Sequence, residues 1–99
     1  MAFLTQGSME FGVDTFDEFE PRRFALKFSP PAIVMEYLVP SSGKLYMHNM
    51  RLKPKELTDK PEIIYLRLLR KHSVYLDPTK VSEAQVIGLI HRIIRHNKD

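Results

Sequence analysis

Residues 23–52 read RFALKFSPPAIVMEYLVPSSGKLYMHNMRL, and this stretch decides the fold. Apolar side chains alternate with others up to Phe28, which is typical of a half-buried strand. The run from Ala32 to Val39 is apolar and rich in β-branched and aromatic residues, so it predicts a second strand. Residues from Lys44 to Leu52 predict a third. We therefore expect a small antiparallel sheet of about three strands.

Two turn signals separate these strands. The first is Ser29-Pro30-Pro31, where the prolines cannot donate ladder hydrogen bonds and so mark a bend or a sheet edge. The second is Pro40-Ser41-Ser42-Gly43, in which proline presets one dihedral angle and glycine tolerates a positive φ. The second and third strands are expected to form a hairpin around this turn.

A first helix is predicted from Pro61 to about Lys71, with Thr58 or Asp59 as its N-cap and Glu62 at capping-box spacing from Asp59. Its apolar residues cover an arc of roughly 200°; they are Ile64, Tyr65, Leu66, Leu68 and Leu69. Because this arc is too wide for one packing surface, we expect the helix to contact the sheet on one side and something else on the other.

A second helix has the clearest signal in the chain. Ser82 and Gln85 have the spacing of a capping box, and Val81 and Val86 occupy the hydrophobic-staple positions. The apolar arc spans about 160° and comprises Val86, Ile87, Leu89, Ile90, Ile93 and Ile94. Before this helix, the linker carries an apolar anchor at Tyr75-Leu76. The predicted fold class is α+β: the small sheet with two C-terminal helices packed on it.

The length of 99 residues allows one domain, which we predict over residues 22–97. Gly7-Ser8 ahead of Met9 is typical of a cloning remnant, so residues 1–8 are interpreted as foreign and Met9 as the natural start. Residues 9–21 are acidic with interspersed aromatics. This pattern indicates a flexible segment, one that folds on a partner, or one that folds back on the basic body.

The net charge of +3 is unevenly spread, because all 15 Lys and Arg residues follow residue 20. A basic body suits an acidic protein segment, RNA or an anionic membrane, or simply keeps the domain soluble. The chain has no cysteine, which excludes disulfides and thiolate metal sites. No apolar run is long enough to span a bilayer, and we find no secretory signal.

The sequence offers no motif for catalysis, metal binding or cofactor binding. Glu36 lies on a predicted strand, where it is expected to face solvent or to pair with a cross-strand lysine. His91 and His96 are five positions apart, so they diverge around the helix and do not form a metal pair. We therefore predict a chain that is not an enzyme and holds no cofactor.

Nucleic-acid binding is the alternative raised by the aromatic and basic residues of the strands. Tyr37 and Tyr46 could stack bases while Lys44 and Arg51 hold phosphate. The competing interpretation is that both tyrosines pack the sheet with their hydroxyls at its rim. Because no RNA-binding signature is present, the leading interpretation includes no nucleic-acid partner.

Two groups of residues resemble the N-terminal conserved region of the centrosomal protein of 19 kDa family. The first is Phe28-Ser29-Pro30-Pro31-Ala32-Ile33-Val34 with Tyr37, Gly43-Lys44-Leu45 and Met50; the second is His72-Ser73-Val74-Tyr75-Leu76 followed by Val81-Ser82 and Gln85. The resemblance covers about residues 23–95 and departs from the family at Arg51, where the family usually has proline. The family also continues into a charged helix and an acidic tail, and the acidic segment before Pro21 has no match in it.

The resemblance implies a non-enzymatic adaptor in the cytoplasm, at the centrosome, centriole and ciliary basal body. Family members are recruited by a LisH-domain centriolar scaffold called FOP and capture a GTP-bound Rab-like small GTPase, which promotes entry of intraflagellar transport complexes and ciliogenesis. The alternatives are a direct small-GTPase effector domain, acting through the second helix or through sheet-edge pairing along the first strand, and a basic module that binds RNA or anionic lipid.

The predicted partner-binding residues lie on the two helices and their linker. We expect apolar contact, or shaping of the surface, from Tyr65, Leu69, Tyr75, Leu76, Ile90 and Ile94. Arg92 and Arg95 would supply a polar rim, because a guanidinium binds carboxylates bidentately. The alternative is that most of the six apolar residues are core.

Overall fold

The computed structural model describes residues 18–98. Its strands are β1 (Glu20–Phe28), β2 (Pro31–Val39) and β3 (Lys44–Arg51), and its helices are a 3-10 helix (Pro54–Thr58), α1 (Pro61–Lys71) and α2 (Glu83–Lys98). The strands form one antiparallel sheet in the order β1-β2-β3. The predicted α+β class, with a three-stranded sheet and two following helices, is confirmed.

The strand register divides the sheet into a covered face and an open face. Ile33 pairs with Leu26 on β1 and with Met50 on β3, and both Ile33 and Met50 are fully buried. Neighbouring residues along each strand point the other way. The open face therefore carries residues such as Val34, Leu38, Leu45 and Met47, and the last two are exposed.

Both predicted turns lie where the sequence places them. Ser29 and Pro30 connect β1 to β2 through a cis peptide bond. In the second turn the carbonyl of Val39 accepts hydrogen bonds from the N–H groups of Ser42 (3.1 Å) and Gly43 (2.8 Å). Gly43 has a φ of 70°, a conformation that residues with a Cβ atom rarely adopt.

Alanine should have opposite effects at two glycines. At Gly43 the positive φ should cost about 1 kcal/mol of the free energy of unfolding. At Gly88, within α2, a Cβ atom would meet nothing within 4 Å, so alanine should add about 0.5–1 kcal/mol through its higher helix propensity. Urea unfolding of the two variants measures both; a stabilising Gly43→Ala would contradict the assignment of this turn.

The start of α1 differs from the prediction. Lys60 is the N-cap without a side-chain capping bond, and Pro61 is the first helical residue. Thr58 instead ends the 3-10 helix, where its hydroxyl donates to the carbonyl of Lys55 (3.0 Å). Asp59 accepts a hydrogen bond from Arg67. Proline suits the first helical position because its missing N–H would have no partner there.

The start of α2 shows one of the two hydrogen bonds that its predicted capping box would contain. The N–H of Gln85 donates to the hydroxyl oxygen of Ser82 at 3.3 Å, and Val81 and Val86 are both buried. α2 packs against β1, whereas α1 packs against α2 and the 3-10 helix. The side chains of all these elements meet in one core over the covered face of the sheet.

The folded region begins earlier than the predicted Arg22. β1 starts at Glu20, and Phe19 is buried in the core. Lys80 holds Phe19 from the linker: its ammonium lies 4.5 Å from the ring centroid and donates to the Phe19 carbonyl at 2.9 Å. The proposed cloning remnant at 1–8, and residues 9–17 of the acidic segment, lie outside the described residues.

Candidate interaction surface

Three of the predicted contact residues belong to the core. Tyr65, Leu76 and Ile90 are 2%, 0% and 0% exposed, so a partner cannot touch them in this fold. At these three positions the burial agrees with the alternative that most of the six apolar residues are core, and it leaves them the role of shaping the surface. The reason is that the covered face of the sheet and the two helices enclose them together.

The other predicted residues reach the surface to different degrees. Leu69, Tyr75 and Ile94 are half-buried at the margin of the core. Arg92 and Arg95 are exposed on α2. These five residues lie on three parts of the chain. Leu69 is on α1, Tyr75 is in the linker, and Ile94 and the two arginines are on α2.

Ile94 lines a groove of about 600 Å³ between the 3-10 helix and the second half of α2. Its walls are Pro54, Leu57, Thr58, Asp59, Pro61, His91, Ile94, Asn97 and Lys98. The apolar parts come from prolines and from Leu57 and Ile94, and the polar parts include both signs of charge. A volume in this range is typical of clefts that bind small molecules.

The outer face of α1 carries apolar side chains without cover among the described residues. Leu66 is 58% exposed and Ile63 is 42% exposed. They lie three positions apart, on the side of the helix opposite the buried Ile64 and Leu68. Arg70 is also exposed and follows Leu66 by four positions, so it flanks the same face.

Strand β3 is the second exposed apolar region. Met47 is 72% exposed, Leu45 57% and Tyr46 42%. β3 is an outer strand of the sheet, and Leu45 and Met47 lie on its open face. Val74 is 60% exposed in the turn after α1, between two residues that contact β3.

A cluster of aromatic and histidine side chains ties that turn to the sheet. His48 of β3 stacks on Tyr75 with ring centroids 3.7 Å apart. His48 Nε2 and His72 Nδ1 share a hydrogen bond of 2.8 Å. Tyr37 contacts Phe19, Tyr46 and Tyr75, with centroids 5.4–5.6 Å apart.

Burial changes the titration of this cluster. It lowers the pKa of His48 from 6.5 to about 4, with His72 adding to the effect. The pKa of His72 is also lowered, by burial first and by Lys71 second. Burial raises the pKa of the Tyr37 phenol. Both imidazoles are therefore neutral near pH 7, so one can donate the shared proton and the other can accept it.

Glu36 has a structural partner. Its carboxylate binds the Arg23 guanidinium across β1 and β2 at 3.0 Å. The sequence predicted solvent or a cross-strand lysine at this position; the partner is an arginine. Because this carboxylate lies on the open face of the sheet, the pair adds polar character there.

The described part of the chain contains neither a metal-binding cluster nor a membrane-spanning helix. Within residues 18–98, no group of three or more His, Asp or Glu side chains is arranged to hold a metal ion. No helix in the same range has the length and apolar character needed to cross a membrane. Tyr37 packs in the aromatic cluster, while Tyr46 stacks on it and stays partly exposed.

The sequence reasoning missed the histidine pair, Phe19 and the exposure of β3. His48 and His72 are 24 positions apart, so their pairing leaves no local spacing signal in the sequence. A usable signal was the strand alternation, which places His48 on the same face as Met50. Nothing local distinguished Phe19 from the other aromatic residues of the acidic segment.

Comparisons of the chain with protein-family models, with curated proteins and with solved structures found no match.

Proposed function

We propose that this chain is a non-enzymatic adaptor that docks on a FOP-type LisH-domain centriolar scaffold and helps recruit a Rab-like small GTPase at the ciliary base. The observation that carries the proposal is the outer face of α1, where Ile63 and Leu66 are exposed on the side away from the core. The resemblance of residues 23–95 to the centrosomal protein of 19 kDa family supplies the identity of the partners.

The chemistry of this face suits a helical partner. LisH domains are helical dimers with apolar surfaces, and an apolar pair at i and i+3 can pack between the side chains of a facing helix. Burying Leu66 alone would contribute about 1–2 kcal/mol. Exposed Arg70 at the margin can bind a carboxylate of the partner.

Charge substitution on this face should weaken docking. Leu66→Glu should weaken binding of the LisH scaffold at least about tenfold, because the carboxylate would lose water in the interface without gaining a partner. Isothermal titration calorimetry with the purified scaffold domain measures the change. The substitution should leave the unfolding midpoint nearly unchanged, since Leu66 is exposed.

Met47→Glu is the matched control. It also replaces an exposed apolar residue by a carboxylate, but on the sheet face that points away from the helices. The control should bind the scaffold like the parent chain. Equal affinity of the Leu66→Glu variant and the parent, or equal losses in both variants, would refute docking through α1.

The sheet favours a second candidate, direct small-GTPase binding through strand pairing. β1 is an outer strand, and Arg22, Arg23 and Lys27 along it are exposed. A pull-down with GTP-loaded and GDP-loaded GTPase tests this candidate. Preferential capture of the GTP form by the isolated chain would support it, and capture that ignores the nucleotide would count against it.

A further inference from the structure

One side of the β3 backbone has no partner strand among residues 18–98. β3 is an outer strand that pairs with β2 in a register without shifts. The N–H of Leu52, directly after β3, donates to the carbonyl of Pro31 at 3.0 Å, so Leu52 faces β2. Because hydrogen-bonded and non-hydrogen-bonded pairs alternate along an antiparallel ladder, every second residue before Leu52 also faces β2, and the residues between them direct their N–H and C=O groups outward. The outward-directed residues are Leu45, Met47, Asn49 and Arg51.

Exposed apolar side chains accompany these outward-directed backbone groups. Leu45 and Met47 lie two positions apart on the open face of the sheet, and both are exposed. Val74 is also exposed, in a turn whose neighbouring residues contact His48 on the other face of β3. An unpaired edge with exposed apolar side chains favours addition of an extended segment, because the segment supplies both the missing hydrogen bonds and the missing cover.

The charges along this edge favour an acidic segment. β3 carries Lys44 and Arg51 at its two ends and no carboxylate. The nearest carboxylate on β2 is that of Glu36, which pairs with Met47 in the register. It already binds the Arg23 guanidinium at 3.0 Å. Carboxylates near the two ends of an added strand would therefore find cations to pair with.

We propose that β3 receives an extended, acidic segment of a partner protein as a fourth strand. Apolar side chains at alternate positions of the segment cover Leu45 and Met47, and its carboxylates lie beside Lys44 and Arg51. A second copy of this chain fits less well, because each β3 would bring two cationic residues and no carboxylate to the shared ladder. The edge is separate from the α1 face, so the two proposed contacts can be tested independently.

Selection on the full chain from a phage-displayed library of random peptides of about ten residues tests the proposal. The enriched peptides should have a net negative charge and apolar residues at alternate positions. The most enriched peptide, made synthetically, is then the probe for fluorescence anisotropy. Met47→Glu should weaken its binding about tenfold, because a carboxylate replaces an apolar contact and repels the acidic probe. Leu66→Glu, the same kind of change at an exposed position of α1, should bind the probe like the parent chain.

Amide hydrogen exchange measured by NMR locates the bound probe. A saturating concentration should slow exchange of the Leu45, Met47 and Asn49 amides about tenfold, and should slow it more than at Tyr46 and His48, whose amides face β2.

Four results would overturn the proposal: no enriched peptide, enriched peptides that lack the alternation or the negative charge, equal binding by Met47→Glu and the parent, or unprotected outward-directed amides. A dimer in gel filtration that Met47→Glu converts to a monomer would assign the edge to a second copy of the chain and would also overturn it.

Discussion

Replacing Ile90 by alanine is expected to lower the free energy of unfolding by about 3–4 kcal/mol. Ile90 lies on α2 and is fully buried in the core. Truncation to alanine therefore removes packed carbon atoms and leaves a cavity. Equilibrium urea unfolding measures the loss. For a domain of this size such a loss is a large part of the total stability, and a substantial population of unfolded chain should follow at 37 °C.

Ile94→Ala is the matched comparison, because it makes the same chemical change one turn along α2 at a half-buried position. Its cost should be about 1–2 kcal/mol, since the side chain still has neighbours but is partly in solvent. The two variants compare the cost of losing a core side chain with the cost of losing a half-buried one on the same helix. Equal losses for Ile90→Ala and Ile94→Ala would contradict the placement of Ile90 in the core.

Acid should destabilise the fold through His48. Its pKa is about 4 in the folded chain and 6.5 in the unfolded chain. Above pH 6.5 both states are neutral at this site, and the shift has no effect. Between pH 6.5 and about 4 the unfolded chain binds the proton more strongly, so stability falls as pH falls, by about 2–3 kcal/mol in total.

The charged and titratable neighbours on the histidine side of His48 oppose its protonation. His72 is bonded to it and has its own lowered pKa, and Lys71 lies beside His72. Tyr75 stacks on the His48 ring. Protonation of both histidines would therefore be opposed by burial and by the repulsion between their positive charges.

The measurement compares urea unfolding at pH 7.5 and pH 4.5 in the parent chain and in His48→Phe. Phenylalanine keeps an aromatic ring against Tyr75 but cannot be protonated. The variant should lose about 2 kcal/mol less than the parent between the two pH values. His91→Gln, at an exposed histidine, should behave like the parent. An acid loss that is identical in His48→Phe and the parent would contradict this origin.

The sequence predicts the elements well because their signals are local. Strand alternation, the turn at Pro40–Gly43 and the Ser82–Gln85 motif each lie within a few residues, and the structure contains all three. The extent of α1 agrees with the predicted Pro61 to Lys71. Its N-cap does not, since a polar residue at cap spacing also fits the end of a short 3-10 helix.

The sequence predicts the surface less well because exposure depends on which face the helices cover. β2 and β3 carry apolar residues on both faces, so the sequence pattern alone does not show that Met50 is buried and Met47 is exposed. The same holds on α1, where the wide apolar arc includes both buried Leu68 and exposed Leu66. The arc indicated a surplus of apolar surface, but only the packing shows which residues form it.

The contact between β1 and α2 joins the first and last of the described elements. During synthesis, therefore, the hairpins leave the ribosome before the helix that must cover β1 exists. Until α2 emerges, the nascent sheet exposes its apolar faces and its strand edges. This exposure favours capture by chaperones and misassembly with neighbouring chains. A nonsense mutation that removes even the last helix should yield a polypeptide that cells degrade.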